Sequence, residues 1–298
     1  MTWLSSGFMS DVFLGITNGV LYGLIALSLV IVWRSTSILN FAQGAMAMFA
    51  AYVGMTMSSH GLNFWACFAI AIAAGFALGG LTERVLVRPL YKRPEINSIV
   101  VMVGFLGLLE SAAAAIWSTA PRTLESPFSQ IYFQHHGSTI LLSPFALFQI
   151  IAALVIMTAV GAIFRYTNLG LQLRAAALAP EVARLLGVRV NRLLTFGWML
   201  SSAAGVVAAV VISSSGSIGL SPTIMDGFFV FGFIAAAVGG LESPLGAVVA
   251  GLMIGLVQQF LQDYAPSGIS SFAPVIILVV ALMIRPQGLF STTKARRV

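Results

Sequence analysis

Nine stretches of 14 to 24 mostly apolar residues, separated by more polar connections, constrain this chain more than any other feature of its sequence. They run Val12–Trp33, Ile38–Met57, Leu62–Thr82, Ser98–Trp117, Leu141–Phe164, Leu193–Ser213, Asp226–Leu241, Pro244–Phe260 and Ser271–Ile284. A hydrocarbon core about 30 Å thick is crossed by about 20 residues of helix. Within lipid every backbone N–H and C=O must be satisfied internally, which selects helices for segments of this length. Asp226–Leu241 and Pro244–Phe260 are joined by a tight GGLESP turn, so they read either as two spans or as a re-entrant hairpin. The expected fold is all-α: a polytopic membrane helical bundle of eight to nine hydrophobic segments, forming one transmembrane domain over 1–298.

Composition removes the soluble alternative. The chain is 59% hydrophobic and 8% charged, with a mean hydropathy of +0.98. A soluble surface draws on roughly a quarter of residues being charged. The single cysteine, Cys67, lies in an apolar stretch and excludes an intramolecular disulfide or a cysteine metal cluster. The opening MTWLSSGFMSD carries no Lys or Arg before the first apolar run and no cleavage site after it, so that run is expected to remain as a span.

Charge placement gives the expected orientation. With the loop ERVLVRPLYKRPEIN (83–97) in the cytoplasm, strict alternation brings fourteen of the fifteen Lys and Arg to that side. They include Arg34, Arg165, Arg174, Arg184, Arg189, Arg192, Arg285 and the tail residues Lys294, Arg296 and Arg297. Only Arg122 falls outside, together with His60, His135 and His136. The N-terminus is therefore expected outside and the C-terminus cytoplasmic. The net charge of +6 is then a matter of orientation and attraction to anionic membrane lipid. No nucleic acid is expected as a partner.

Glycine spacing predicts how the spans pack. Gly15, Gly19 and Gly23 leave one stripe of the first span bare, and Gly75 with Gly79 and Gly251 with Gly255 repeat the interval. Small-residue stripes let helices approach closely where lipid removes the hydrophobic drive between them. Most prolines stand at span ends, where a missing N–H is tolerated. The longest external loop, 118–140, has 23 residues, too few for a domain.

Polar residues inside spans are costly and therefore informative. Asn18 sits on the glycine-lined first span; Asn40 and Gln43 share a face at the start of the second; Glu110 lies in the outer half of the fourth. Each reads either as an interhelical hydrogen-bonding group or as lining of a translocation pathway. Asp226 is expected to cap the seventh segment. The chains of Asp, Glu and His that mark proton-coupled carriers are missing, as are P-loop, HExxH and nucleophile-elbow patterns. No catalytic residue, metal site or cofactor is expected.

The stretch NLGLQLRAAALAPEVARLLGVRVNR (168–192) stands apart. Pro180 suits a first helical position, Glu181 complements the helix dipole, and Gly187 is placed to stop the helix. Val182, Leu185 and Leu186 share one face. On these residues alone, two readings stay open: a docking helix, or an amphipathic helix lying on the membrane surface.

EVARLLG resembles the E-A-A-x-x-x-G loop of bacterial ABC importer permeases, with Val182 in place of the usual Ala. TNLGLQLRAAALAPEVARLLGV, ITNGVLYGLIALSLVIV, ILNFAQGAMAMFAAYVG, AAAVGGLESPLGAVVAGLMIGL and RPQGLF are similar to segments of the high-affinity branched-chain amino-acid permease family. Gln43 stands where His is common. The resemblance implies a multi-pass permease of the bacterial inner membrane, not itself an ATPase. Its expected partners are a second homologous permease subunit, two cytoplasmic ATPase subunits and a periplasmic solute-binding protein. By position, Glu181, Ala183 and Gly187 would form the ATPase-coupling motif of the loop 165–192, flanked by Arg174 and Arg184. Asn18, Asn40, Gln43 and Glu110 would line or support the pathway. The competing class is an autonomous channel or secondary carrier of small polar solutes.

Overall fold

The computed structural model describes residues 6–91, 93–131, 134–135, 138–139, 143–216, 218–285 and 288–290. Lys92, His136, Pro286, Gln287 and the tail residues Lys294, Arg296 and Arg297 lie outside them, as does the side chain of Arg174. Eleven α-helices are described: α1 Ser6–Thr36, α2 Gln43–Thr56, α3 Phe64–Thr82, α4 Glu95–Trp117, α5 Pro144–Tyr166, α6 Asn168–Leu178, α7 Pro180–Leu185, α8 Val190–Ser213, α9 Ile224–Gly239, α10 Pro244–Tyr264 and α11 Ser267–Ile284. A π-helical turn, Glu83–Val87, and a 3-10 turn, Arg88–Leu90, extend α3. In the loop 118–140, Gln134–His135 pairs antiparallel with Ser138–Thr139.

Every apolar segment read from the sequence contains a helix, with changed bounds. Six helices among the described residues are long and apolar enough to cross a membrane, which makes this a multi-pass membrane protein. The segment Ile38–Met57 is shortened to the 14-residue α2. Asn40 causes the loss: its Oδ1 accepts from the Ala42 N–H at 3.1 Å and holds the chain in a turn. At 1.5 Å per residue α2 then extends only about 21 Å. The loop 165–192 holds a helix that periodicity did not single out. Thr167, extended at φ −107°, ψ 156°, caps α6 by accepting from Gly170 N at 3.2 Å. Asp226 is not the cap expected of it. Thr223 occupies the N-cap of α9 and Asp226 falls in the first turn, where a carboxylate still faces the positive end of the dipole.

The first helix is the hub of the bundle. It is buried along most of its length and packs on α10, α8, α9 and α5. Its glycines make that possible. A Cβ on Gly15 would lie 2.9 Å from the Leu256 Cα, and one on Gly19 2.9 Å from the Leu252 Cα. Across the seam, Gly251 meets the backbone of Gly23, and Gly255 meets Gly19 and the Gly15 carbonyl. The stripes noticed separately in the sequence are thus one interface. A second seam joins α3 to α8, with Gly75 against Val206 and Gly79 against Ser202 and the Trp198 carbonyl. Below it a small cluster of Val32, Val87, Met102 and Trp198 ties together α1, the π-turn, α4 and α8. Outward faces of α4, α5 and α10 carry exposed Val103, Leu108, Ile151, Leu154, Val249 and Met253, as lipid-facing helices do.

Candidate functional site

Two sets of residues carry the functional question, and they lie in different parts of the bundle. The first is α7 with its stop. The helix opens on Pro180, with Glu181 in its first turn. It ends in a Schellman arrangement: Gly187 N–H donates to the Arg184 carbonyl at 3.0 Å, and Val188 N–H donates to the Ala183 carbonyl at 3.0 Å. Gly187 has φ +82°, a left-handed conformation that an L side chain adopts only under strain. Ala183 is buried and fastens the helix to the body of the protein. Glu181 and Arg184 are exposed. Val182, Leu185 and Leu186 are 55%, 87% and 78% exposed, so nothing among the described residues covers the apolar ridge of α7.

The second set is the buried polar groups. Asn40 and Gln43 are brought together: Asn40 Nδ2 donates to Gln43 Oε1 at 2.8 Å. Gln43 Nε2 donates to the Ser201 carbonyl at 3.1 Å, and Ser201 Oγ donates to the Ser28 carbonyl at 2.7 Å. The network joins the turn before α2 to α8 and α1, and all four residues are buried. Asn18, half-buried, makes no side-chain hydrogen bond among the described residues and does not join this network. One turn of α1 away, Tyr22 stacks on Phe231 of α9 at 4.7 Å. Glu110 on α4 neighbours Asp226 on α9, and its Oε1 is buried without a hydrogen-bond partner.

Removing the amide of Gln43 is therefore expected to cost stability. Gln43→Leu removes the oxygen acceptor of the Asn40 amide, leaving it only the Met46 sulfur at 3.4 Å, and breaks the bond to the Ser201 carbonyl, a loss of about 1–3 kcal/mol. A lower midpoint in thermal unfolding of the detergent-solubilised chain is the expected result, and an unchanged midpoint would remove the network from the account.

Sequence reading missed one residue. Glu83 was counted as a loop charge, yet it is wholly buried. Arg88 donates to its two carboxylate oxygens, from Nε at 3.2 Å and from NH2 at 2.8 Å. Tyr91 Oη donates at 2.8 Å and Thr195 Oγ1 at 2.7 Å. Burial pushes the Tyr91 hydroxyl far above its usual range, and the Glu83 charge adds to the effect. The spacing of five between Glu83 and Arg88 matches one π-helical turn and was the available signal. Nothing local points to Thr195.

Residues 12–284 match the sequence profile of the family described as "Branched-chain amino acid transport system / permease component". The chain is 25% identical over 302 residues to the high-affinity branched-chain amino acid transport system permease protein LivH of Escherichia coli (strain K12), covering 98% of each chain. It is 26% identical over 288 residues to the branched-chain amino acid transport permease protein LivH of Methanocaldococcus jannaschii, covering 89% of this chain and 87% of that one. Among solved structures, an inward-facing metal-chelate type ABC transporter superposes with a TM-score of 0.51 at 15% identity, over 92% of this chain and 85% of that one. At that identity the likeness is one of fold.

Proposed function

Because the chain belongs to the branched-chain amino-acid transport permease family, we propose that it is the membrane subunit of an ATP-binding-cassette importer for branched-chain amino acids or related small polar solutes. In this reading the arginine-rich end of the bundle is cytoplasmic, in the bacterial inner membrane, and the N-terminus lies outside. The chain is one permease domain that works beside a second permease subunit. Solute is delivered by a periplasmic binding protein, and ATP is hydrolysed by two separate cytoplasmic subunits.

The observation that carries this reading is the uncovered ridge of α7. Three large apolar side chains stand exposed on a helix whose start and stop are both built in. Covering such a side chain fully stabilises an assembly by roughly 1.5–3 kcal/mol. An ATPase surface with an apolar cleft would gain that, while Arg184 and Glu181 on the flanks fix the register. Glu181, Ala183 and Gly187, with Arg174 and Arg184, make up the coupling element. Asn18, Glu110, Asn40 and Gln43 support the pathway, the first two by lining it and the last two by holding α2 against α8.

The test is reconstitution in liposomes with the cognate second permease subunit, ATPase subunits and binding protein, with L-leucine as the probe. Uptake should require ATP and every component. Uptake by this chain alone, without ATP, favours the autonomous carrier and refutes the importer. In the same assay Glu110→Ala and Asn18→Ala should lower uptake several-fold while ATPase subunits still co-purify. Uptake equal to the unaltered chain would take both residues off the pathway.

A further inference from the structure

We propose that Glu83 is the joint that passes movement of the arginine-rich end of α8 to the linker leading into α4. The inference rests on the importer reading above and identifies where motion begun at α7 enters the bundle.

The path is short. Gly187 ends α7, α8 begins at Val190, and Thr195 lies in the second turn of α8. Its hydroxyl is 2.7 Å from Glu83 and accepts from Arg88 NH2 at 2.8 Å. Glu83 also holds Tyr91, and both Arg88 and Tyr91 belong to the stretch between α3 and α4. One buried carboxylate, at the root of the π-turn, thus gathers Thr195 from α8, Arg88 from the 3-10 turn and Tyr91 just after it.

The joint sits at the end of a continuous line of contact. Along α3 and into the π-turn that extends it, Gly75, Gly79 and Glu83 recur every four residues and face Val206, Trp198 with Ser202, and Thr195 in turn. The first two positions are close van der Waals contacts of a bare glycine backbone with α8, with no directional bond from the glycine to resist sliding. The third is charged and hydrogen-bonded, and directional bonds resist displacement. A shift of the first turns of α8 therefore cannot occur without either carrying Glu83 along or breaking its bonds. A buried carboxylate stripped of its partners is strongly disfavoured, which selects the first course. The five-residue π-turn at Glu83–Val87 gives the carried segment a local departure from α-helical geometry at its root, and such turns recur at functional sites. Beyond it, Val87 and Met102 share the small cluster with Trp198, so the linker and the start of α4 move with α8 as one packed unit.

Thr195 provides the cleanest test, since Thr195→Val keeps the shape of the side chain and removes only the hydroxyl, and Thr195→Ser restores it. Both are assembled with the cognate second permease subunit, ATPase subunits and binding protein in liposomes, with L-leucine as the probe. Thr195→Val should retain ATPase association and ATP hydrolysis, but uptake per ATP should fall about tenfold, as for loss of a typical coupling free energy. Thr195→Ser should return it to the unaltered level. In a Cys67→Ala background, spin labels at Arg93→Cys and Arg192→Cys should keep one separation with and without ATP plus vanadate. In Thr195→Val that separation should change with nucleotide. The joint is overturned by full coupling in Thr195→Val, by loss of assembly alone, by failure of the serine variant to rescue, or by label separations that respond identically. If the unaltered chain carries L-leucine without ATP, the importer reading fails, and the relay falls with it.

Discussion

Gly255→Leu is expected to remove most of the folded chain. At Gly255 a Cβ overlaps the Cα of Gly19 and the Gly15 carbonyl, which are backbone atoms with no rotamer to yield. Introducing four carbons there forces α1 and α10 apart along the most extensive helix contact in the bundle. Overpacking of a well-packed core costs about 1–3 kcal/mol even when side chains can give way. With backbone on both sides the penalty is larger, and net stabilities are only about 5–15 kcal/mol. The expected readout is a loss of at least most of the monodisperse protein in detergent extracts, measured by fluorescence size-exclusion chromatography of a tagged chain. Gly161→Leu is the control: nothing among the described residues lies within 4 Å of a Cβ there, so its elution profile should match that of the unaltered chain. Equal profiles for Gly255→Leu would mean that the glycine seam does not hold α1 and α10 together.

The second large effect separates function from folding. Leu185→Ser with Leu186→Ser should leave the chain as stable as before, because both side chains are exposed and touch little of their own protein. Surface substitutions of that kind usually stay within about 0.5 kcal/mol. If α7 docks an ATPase, the same pair removes most of the apolar area that the partner covers, and ATP-driven uptake should drop by two orders of magnitude, about 2.7 kcal/mol. Gly187→Val acts by another route. A β-branched residue at φ +82° is strained, so the Schellman bonds from Gly187 and Val188 should break and the aim of α7 should change. Glu181→Ala removes the dipole partner and a register contact, with a smaller loss. Pull-down of the ATPase subunits reads association, and uptake reads coupling. Normal values in all three variants would return α7 to the role of a connector on the membrane surface.

These variants also show which features were legible beforehand. The stop at Gly187 and the start at Pro180 were readable because helix ends obey local rules within about four residues. The same locality explains the misplacement of Asp226: a carboxylate at a helix start satisfies the cap and first-turn patterns alike, and only backbone geometry selects Thr223. The helix α6 escaped notice because Leu173 and Ala176 bury too narrow a face to give a clear period. Asn40 and Gln43 were recognised as a pair from their spacing of three. Their partners Ser201 and Ser28 were not, since the bond from Gln43 spans 158 positions.

The sequence by itself determined the solvent of this protein, the positions of its apolar helices, the lopsided placement of its arginines and the bounds of α7. Each is a property of composition or of residues close in the chain, and lipid leaves a backbone few alternatives. The tertiary structure alone decided which glycine stripe meets which, and that Glu83 is a buried, hydrogen-bonded carboxylate when its neighbours in the chain read as a charged loop. A hydrogen bond or a close backbone approach depends on two elements arriving at the same place. Residues 112 positions apart, such as Glu83 and Thr195, carry no mark of one another until the chain has folded.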